Sequence, residues 1–272
     1  MLEFESFVYL DVHKTGSSFI VSILKAHSKE KEIRLIRHEG VGAFYDSSKF
    51  HFISLRNPLD QYISLYSFGC DKNGLFRQRL NKLGHGNLYS GTWNGFRSWL
   101  AFVLHPANAR LLNEEYASMG SISDIIGYQS YRVLGLALRH RRKALTACKT
   151  RDDVIAAYRT ESIVDHIVRA ESLRTDLADL LCTKLKDSIL DLDAALKHIQ
   201  TESSRNRSLR IDRFLRDPKL GNRLTALLHE REWPFYELFG YEKTPNVAAT
   251  SAVRRPPPRQ SVQRVPPAPP EQ

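Results

Sequence analysis

The sequence is poor in cysteine and contains no long apolar run. Its 272 residues include three cysteines, Cys70, Cys148 and Cys182, which is an odd number at wide spacing. This pattern argues against a disulfide framework or a multi-cysteine zinc site and favours reduced thiols. No apolar stretch approaches the ~20 residues that a membrane-spanning helix needs, so no membrane span is expected. Glu3 and Glu5 stand where a secretory signal would carry basic residues, and we therefore expect a cytoplasmic protein.

Negative charge is scarce relative to positive charge. The 40 lysines and arginines outnumber the 30 aspartates and glutamates, which gives a net charge of +10. Such an excess indicates an anionic partner or a basic tail. The run RHRRK at 139–143 holds part of the charge, but no helix-turn-helix, RNP or zinc-finger pattern accompanies it. We expect a solvated basic surface and no specific nucleic-acid partner, with a non-enzymatic nucleotide- or nucleic-acid-binding protein as one alternative.

Proline is unevenly distributed along the chain. Eight of the twelve prolines and four arginines lie in residues 245–272, a segment without any aromatic residue. A segment of this composition cannot bury enough apolar surface to offset the entropy that ordering it would cost. We therefore predict one folded domain over residues 1–244 and a disordered tail over residues 245–272.

Short apolar runs alternate with helix-period segments in the folded part. The runs predict strands at residues 6–10, 33–36, 51–55 and 163–168. The periodicity predicts helices at residues 17–26, 59–68, 96–104, 122–147, 152–160 and 172–186. Apolar strands that alternate with helices are typical of a parallel sheet covered by helices. The fold class we predict is α/β, with a parallel β-sheet flanked by helices and a helical middle region.

The stretch VHKTGSSF joins the first predicted strand to the first predicted helix. Gly16 permits a turn with positive φ, Ser17 and Ser18 supply hydroxyl groups, and Lys14 adds a mobile positive charge. A helix N-terminus of this kind suits a phosphate or sulfate, although the same pattern fits a simple serine cap. The lysine precedes the glycine, so the G-x-x-x-x-G-K-[ST] pattern is absent. That absence weighs against a nucleotide kinase, which remains a second alternative.

The stretch SLRNPLDQYIS repeats this arrangement at the end of another predicted strand. Arg56 lies at the strand end, and Ser64 lies about two turns into the helix that starts near Pro58. A guanidinium group and a hydroxyl can hold a second anion, whereas the plainer interpretation pairs Arg56 with Asp60. Ligands of open α/β sheets bind outside the carboxyl ends of strands. Two anion sites at neighbouring strand ends therefore predict a ligand with two separated phosphates.

The pair VHKTGSSFI and FISLRNPLDQYISLYS resembles the two phosphosulfate-binding motifs of sulfotransferases that use 3′-phosphoadenosine-5′-phosphosulfate (PAPS). The likeness is closest to carbohydrate sulfotransferases of the heparan and chondroitin type. It implies a P-loop-like sulfotransferase fold and an enzyme that transfers the sulfuryl group of PAPS to a hydroxyl of a carbohydrate or glycolipid. Asn57 departs from the family pattern, which usually has Asp at this position.

The resemblance also assigns candidate site residues. It implies that the 3′-phosphate is bound by Arg56 and Ser64, and that the 5′-phosphosulfate is bound by Lys14, Thr15, Gly16, Ser17 and Ser18. Lys14 would also act in catalysis. For the general base the resemblance favours His38, with Glu39 second.

A polar and basic loop near residues 201–208 resembles the C-terminal loop of the family. The resemblance implies that Ser204 and Arg205 close over the nucleotide, although a solvated basic turn explains the same residues. No metal is expected, because sulfuryl transfer requires none and the sequence has no metal-ligand constellation. The oligomeric state and the identity of the acceptor are not indicated by the sequence.

Overall fold

A five-stranded sheet organises the chain in the computed structural model, which describes residues 1–71, 74–202 and 220–243. The sheet has the order β3-β1-β2-β4-β5. Its strands are β1 (Leu2–Glu3), β2 (Phe7–Leu10), β3 (Arg34–Leu35), β4 (Phe50–Leu55) and β5 (His166–Arg169). The predicted α/β class with helices flanking the sheet is confirmed, while the predicted tail at 245–272 lies outside the described residues.

The sheet is mixed, so the prediction of a parallel sheet was wrong in part. The pairs β2–β4 and β4–β5 are parallel, whereas β1 runs antiparallel to both β2 and β3. The short connection between β1 and β2, closed by a 2.9 Å hydrogen bond from Phe4 N–H to the Phe7 carbonyl, permits only an antiparallel pair. Sequence periodicity missed β1 because two residues cannot show an alternation.

Helices form most of the rest of the described chain. Those of the first half are α1 (Ser17–His27), α2 (Pro58–Cys70), α3 (Leu75–Lys82), α4 (Trp93–Leu104), α5 (Ala109–Leu112), α6 (Glu114–Ser118) and α7 (Ile122–Ile125). Those of the second half are α8 (Tyr128–Ala137), α9 (Arg141–Ala147), α10 (Arg151–Glu161), α11 (Leu173–Thr183), α12 (Leu192–Thr201), α13 (Asn222–Arg231) and α14 (Trp233–Glu237). The middle region is therefore helical, as predicted.

The single helix predicted over residues 122–147 is divided into α7, α8 and α9. Gly127 separates the first two and lies so close to the buried Glu232 that a Cβ atom there would be 2.1 Å from the carboxylate. That carboxylate accepts hydrogen bonds from the Ser130 N–H (2.8 Å) and hydroxyl (2.6 Å) in the first turn of α8. The apolar periodicity of residues 122–147 predicts one continuous helix, but tertiary contacts with Glu232 divide it.

Each face of the sheet is covered by its own apolar cluster. Alternate side chains such as Tyr9 and Phe52 pack with α1, α11 and α12, whereas Leu10 and Ile53 pack on the other face with α2, α4 and α8. The apolar side chains of β2 and β4 after Phe50 are buried on both sides, which explains their continuous apolar runs. Two central strands therefore end side by side.

Over the described ranges, no helix is long and apolar enough to cross a bilayer.

Candidate functional site

The carboxyl ends of four strands, β2, β3, β4 and β5, meet at one edge of the sheet. β2 and β4 are parallel neighbours with Leu10 opposite Ile53, so the loops that follow them emerge together. β3 is antiparallel to β1, which is itself antiparallel to β2; two reversals make β3 run in the same direction as β2. The segment after β3, which includes His38, therefore reaches the same edge. A cleft of about 1010 Å³ lies at this edge.

The loop between β2 and α1 has a fixed and unusual backbone. Lys14 has a φ of 66° and Gly16 a φ of 85°, both in the left-handed region. Gly16 also meets the side chain of Leu173, whose Cδ2 would lie 2.5 Å from an added Cβ. Glycine is favoured there by its backbone conformation, whereas the Leu173 side chain could move aside for a Cβ atom. We name the segment from His13 to Ser18 the anion loop, because its composition and its place before α1 suit an anionic group.

Hydroxyl groups tie the anion loop to the sheet beneath it. The buried Thr15 hydroxyl donates to the carbonyl of Val12 at 2.7 Å and lies 2.6 Å from the hydroxyl of Ser54 on β4. Since its single proton is used, Thr15 accepts from Ser54, and Ser54 in turn accepts from the hydroxyl of Tyr9 at 2.5 Å. Thr15 was predicted to contact the cofactor, but the structure places it behind the loop and not on the cleft wall.

The first turn of α1 borders the cleft. Gly16 has no side chain with which to cap the helix, and Ser17, Ser18 and Phe19 line the cleft wall. The opening N–H groups of a helix lack intrahelical partners and carry positive potential. The backbone here can therefore attract an anion. The loop is supported from α2, where the buried Gln61 side-chain amide donates to the His13 carbonyl at 3.0 Å.

Lys14 lies on the cleft wall with its ammonium group partly removed from water. Its Nζ lies 4.0 Å from the ring centroid of Phe68. Burial lowers the pKa of Lys14 to about 8, with a further contribution from the positive charge of Arg56 and an opposing one from Asp71. A desolvated cation that faces another cation is stabilised when an anion enters between them.

Arg56 extends from the end of β4, just before α2 begins at Pro58. Among the described residues its guanidinium forms no hydrogen bond or salt bridge, although it lines the cleft together with the buried Ser64. The plainer interpretation paired Arg56 with Asp60. The pKa of Asp60 is raised, mainly by burial and also by the charge of Glu171, while Arg56 opposes the rise.

Asn57 caps α2 by accepting a hydrogen bond from the Leu59 N–H at 3.0 Å, which explains how an uncharged residue serves at this position.

The two residues predicted as general bases have different surroundings. His38 lines the cleft with about a third of its side chain exposed (34%) and has a φ of 62°. Its Nδ1 lies 3.0 Å from the carbonyl oxygen of Asp11. Glu39 is exposed and does not lie among the residues that line the cleft. The structure thus brings His38, and not Glu39, to the anion loop.

Several cleft residues were missed by sequence reasoning. They are Arg37, which pairs with Asp11, together with Phe68, Leu75, Phe76, Tyr128, Arg132, Glu171 and Arg174. Glu171 accepts from the Asn57 N–H at 2.6 Å and from the Tyr241 hydroxyl at 3.2 Å. Phe76 and Tyr128 stack with ring centroids 5.4 Å apart. These residues come from segments far apart in the chain, so no local motif marked them.

The cleft is strongly positive. Its lining includes Lys14 and four arginines, one of which, Arg37, is paired with the buried Asp11. Within the described residues one acidic side chain, that of Glu171, lines the cleft. His13 stays neutral at the centre of this charge, since burial first, and then Arg132, His38 and Lys14, lower its pKa well below the usual range. Such a site attracts a ligand with several negative charges. Ser204 and Arg205, the remaining predicted contacts, lie outside the described residues.

No group of three or more His, Cys, Asp or Glu side chains arranged to hold a metal ion occurs in ranges 1–71, 74–202 and 220–243. No family model, no curated protein and no solved structure matches the chain.

Proposed function

We propose that the protein transfers the sulfuryl group of PAPS to a hydroxyl of a carbohydrate or glycolipid acceptor, as an enzyme with a P-loop-like sulfotransferase fold. The observation that carries the proposal is the convergence of two loops from adjacent parallel strands on one cleft. Lys14 after β2 and Arg56 after β4 both line it, and each lacks a carboxylate partner at salt-bridge distance within the described chain. Two separated cationic positions match the two separated phosphates of this nucleotide.

The side chains divide into two binding groups in this proposal. The start of α1 and Lys14 would hold the 5′-phosphosulfate, and Arg56 with Ser64 would hold the 3′-phosphate. Phe19 of α1 and Arg174 of α11 both border the cleft, and the guanidinium of Arg174 lies over the Phe19 ring, 5.2 Å from its centroid. Thr15 would act from beneath by fixing the loop, without contact with the nucleotide.

The reaction is an in-line displacement at sulfur. The acceptor oxygen forms the new bond to sulfur while the bond from sulfur to the 5′-phosphate oxygen breaks, and its electron pair leaves on that phosphate. Lys14 and the α1 terminus would stabilise the charge that develops on the leaving oxygen. His38 would accept the proton of the acceptor hydroxyl. The products are the sulfated acceptor and 3′-phosphoadenosine-5′-phosphate (PAP).

A nucleotide panel tests the proposal directly. We expect PAP and PAPS to raise the melting temperature without added metal and to bind by calorimetry, while ATP and GTP with Mg²⁺ bind at least about tenfold more weakly. Incubation with ³⁵S-labelled PAPS and a set of sugars and glycolipids should then label an acceptor. Stabilisation by ATP with Mg²⁺ and indifference to PAP would overturn the proposal in favour of a kinase-type nucleotide site.

PAP affinity is expected to decrease above about pH 8. Lys14 has a pKa lowered to about 8, so it loses the charge that attracts the phosphate as the pH rises through this value. We expect roughly tenfold weaker binding at about pH 9, since each pH unit above the pKa lowers the charged fraction about tenfold, which corresponds to about 1.4 kcal/mol. Lys14→Arg keeps its charge throughout and provides the matched control in calorimetry from pH 7 to 9.5. An identical pH dependence in both proteins would show that Lys14 does not bind the anion.

A further inference from the structure

Asp11 is a fully buried carboxylate at the end of β2, directly before the anion loop. Its Oδ2 lies 2.6 Å from Nε of Arg37, and its Oδ1 lies 3.4 Å from Nδ1 of His38. Burial alone would raise the pKa of Asp11, but the contacts with His38, Arg37 and Ser17 outweigh it and hold that pKa below its ordinary value. The residue is therefore an anion enclosed between two cleft side chains.

The backbone of Asp11 determines which imidazole nitrogen of His38 can accept a proton. A carbonyl oxygen only accepts hydrogen bonds, so the 3.0 Å contact requires Nδ1 to carry the hydrogen. The remaining nitrogen, Nε2, then has the free lone pair. When Nε2 takes a proton, the nearby Asp11 carboxylate stabilises the resulting positive charge, as the acidic member of a catalytic triad does.

Arg37 connects this histidine to the start of α1. Its Nε binds the Asp11 carboxylate, and its Nη2 donates to the Ser17 hydroxyl at 3.2 Å. His38 has a positive φ, which costs energy for a residue with a side chain and needs support from its surroundings. The adjacent Arg37–Asp11 ion pair supplies that support. One carboxylate thus sets the position of His38 relative to the anion loop.

We propose that Asp11, together with Arg37, is a positioning residue that holds His38 as the proton acceptor opposite the sulfuryl-binding helix end. The inference rests on the proposed sulfuryl transfer. In this arrangement neither Asp11 nor Arg37 is assigned a phosphate contact: the Asp11 carboxylate is buried, and Arg37 contacts Asp11 through Nε and Ser17 through Nη2. Loss of either residue misplaces the base and leaves the phosphate contacts of Lys14 and Arg56 intact.

The test compares Asp11→Asn and Arg37→Ala with Asp46→Asn, a control at an exposed carboxylate in the turn with Ser48. We expect kcat to fall roughly 10- to 100-fold in both test variants, in the range found when a residue that orients a reacting group is lost. KM for PAPS and Kd for PAP should stay within threefold of the original. Guanidinium ion at millimolar concentration should raise the kcat of Arg37→Ala at least fivefold. Sodium chloride at the same concentration should leave this kcat unchanged.

Each outcome decides between explanations. Unchanged kcat in both variants, or PAP affinity that falls in step with kcat, would overturn the positioning role. If Asp11→Asn does not fold, Arg37→Ala and its guanidinium rescue decide alone, and absence of rescue counts against the inference. Failure of the original protein to bind PAP would instead refute the proposed function. The PAP calorimetry therefore separates the two failures.

Discussion

Replacing His38 by alanine is expected to lower the turnover of sulfuryl transfer by about 10²- to 10⁴-fold, the usual contribution of a positioned general base. The affinity for PAP should change less than threefold, because His38 is assigned no phosphate contact. The measurement pairs the rate of PAP formation from PAPS, in the presence of a labelled acceptor, with calorimetry of PAP. Loss of rate without loss of affinity is the pattern of a group that acts in the transition state.

The matched control is His140→Ala. His140 is an exposed histidine outside the cleft that also has a carboxylate partner, since its Nδ1 lies 2.8 Å from Glu161. We expect no change in turnover for this variant. If His38→Ala keeps the original turnover, His38 is not the base. In that case the exposed Glu39 does not become the default choice, because the structure holds it away from the cleft lining.

Arg56→Ala is expected to weaken PAP binding by roughly 100-fold, since charge-assisted and bidentate contacts to phosphate are among the strongest hydrogen bonds in proteins. Its fold should be retained, because within the described residues the guanidinium makes no hydrogen bond or salt bridge that stabilises the structure. Removal of the charge should also raise the pKa of Lys14, as Arg56 contributes to its depression. The pH above which PAP affinity falls should move upward accordingly.

Arg142→Ala is the control for this substitution. Arg142 is an exposed arginine of α9 that does not line the cleft, so its loss removes the same charge from the protein without touching the site. Calorimetry of PAP at two salt concentrations separates a specific contact from general attraction, because long-range attraction is screened by salt. Equal losses of affinity in Arg56→Ala and Arg142→Ala would reject a phosphate contact at Arg56.

The two strand–helix junctions were predictable from the sequence because their signals are local. A buried apolar run followed by a turn residue and an amphipathic segment identified the junctions before Ser17 and Pro58 within about one residue. The predicted strand at 33–36 was found as the two-residue β3, and its partner β1 was missed. The sheet is mixed because β1 is antiparallel to its neighbours. Its two residues are too few to show the apolar–polar alternation from which a strand is predicted.

The remainder of the site depends on contacts that span the chain. Asp11 and Arg37 are separated along the chain by the helix α1, so no local motif contains both. The sequence signal for their pairing is the single Asp in the apolar stretch YLDVHK, because a buried charge needs a partner. Arg132 reaches the cleft from α8, whose start depends on the buried Glu232. The Thr15 hydroxyl faces the sheet, and sequence pattern does not reveal which side of a loop a hydroxyl faces.

The hydroxyl chain from Tyr9 through Ser54 to Thr15 has a consequence for how fast the protein captures its ligand. Because its donors and acceptors are fixed in one direction, the chain restrains Thr15, and with it the loop, against the sheet. Association then requires no slow ordering step, and the encounter is governed by diffusion and by the attraction of the positive cleft. If the proposed function holds, the 5′ end of the nucleotide would meet a binding loop that is already formed.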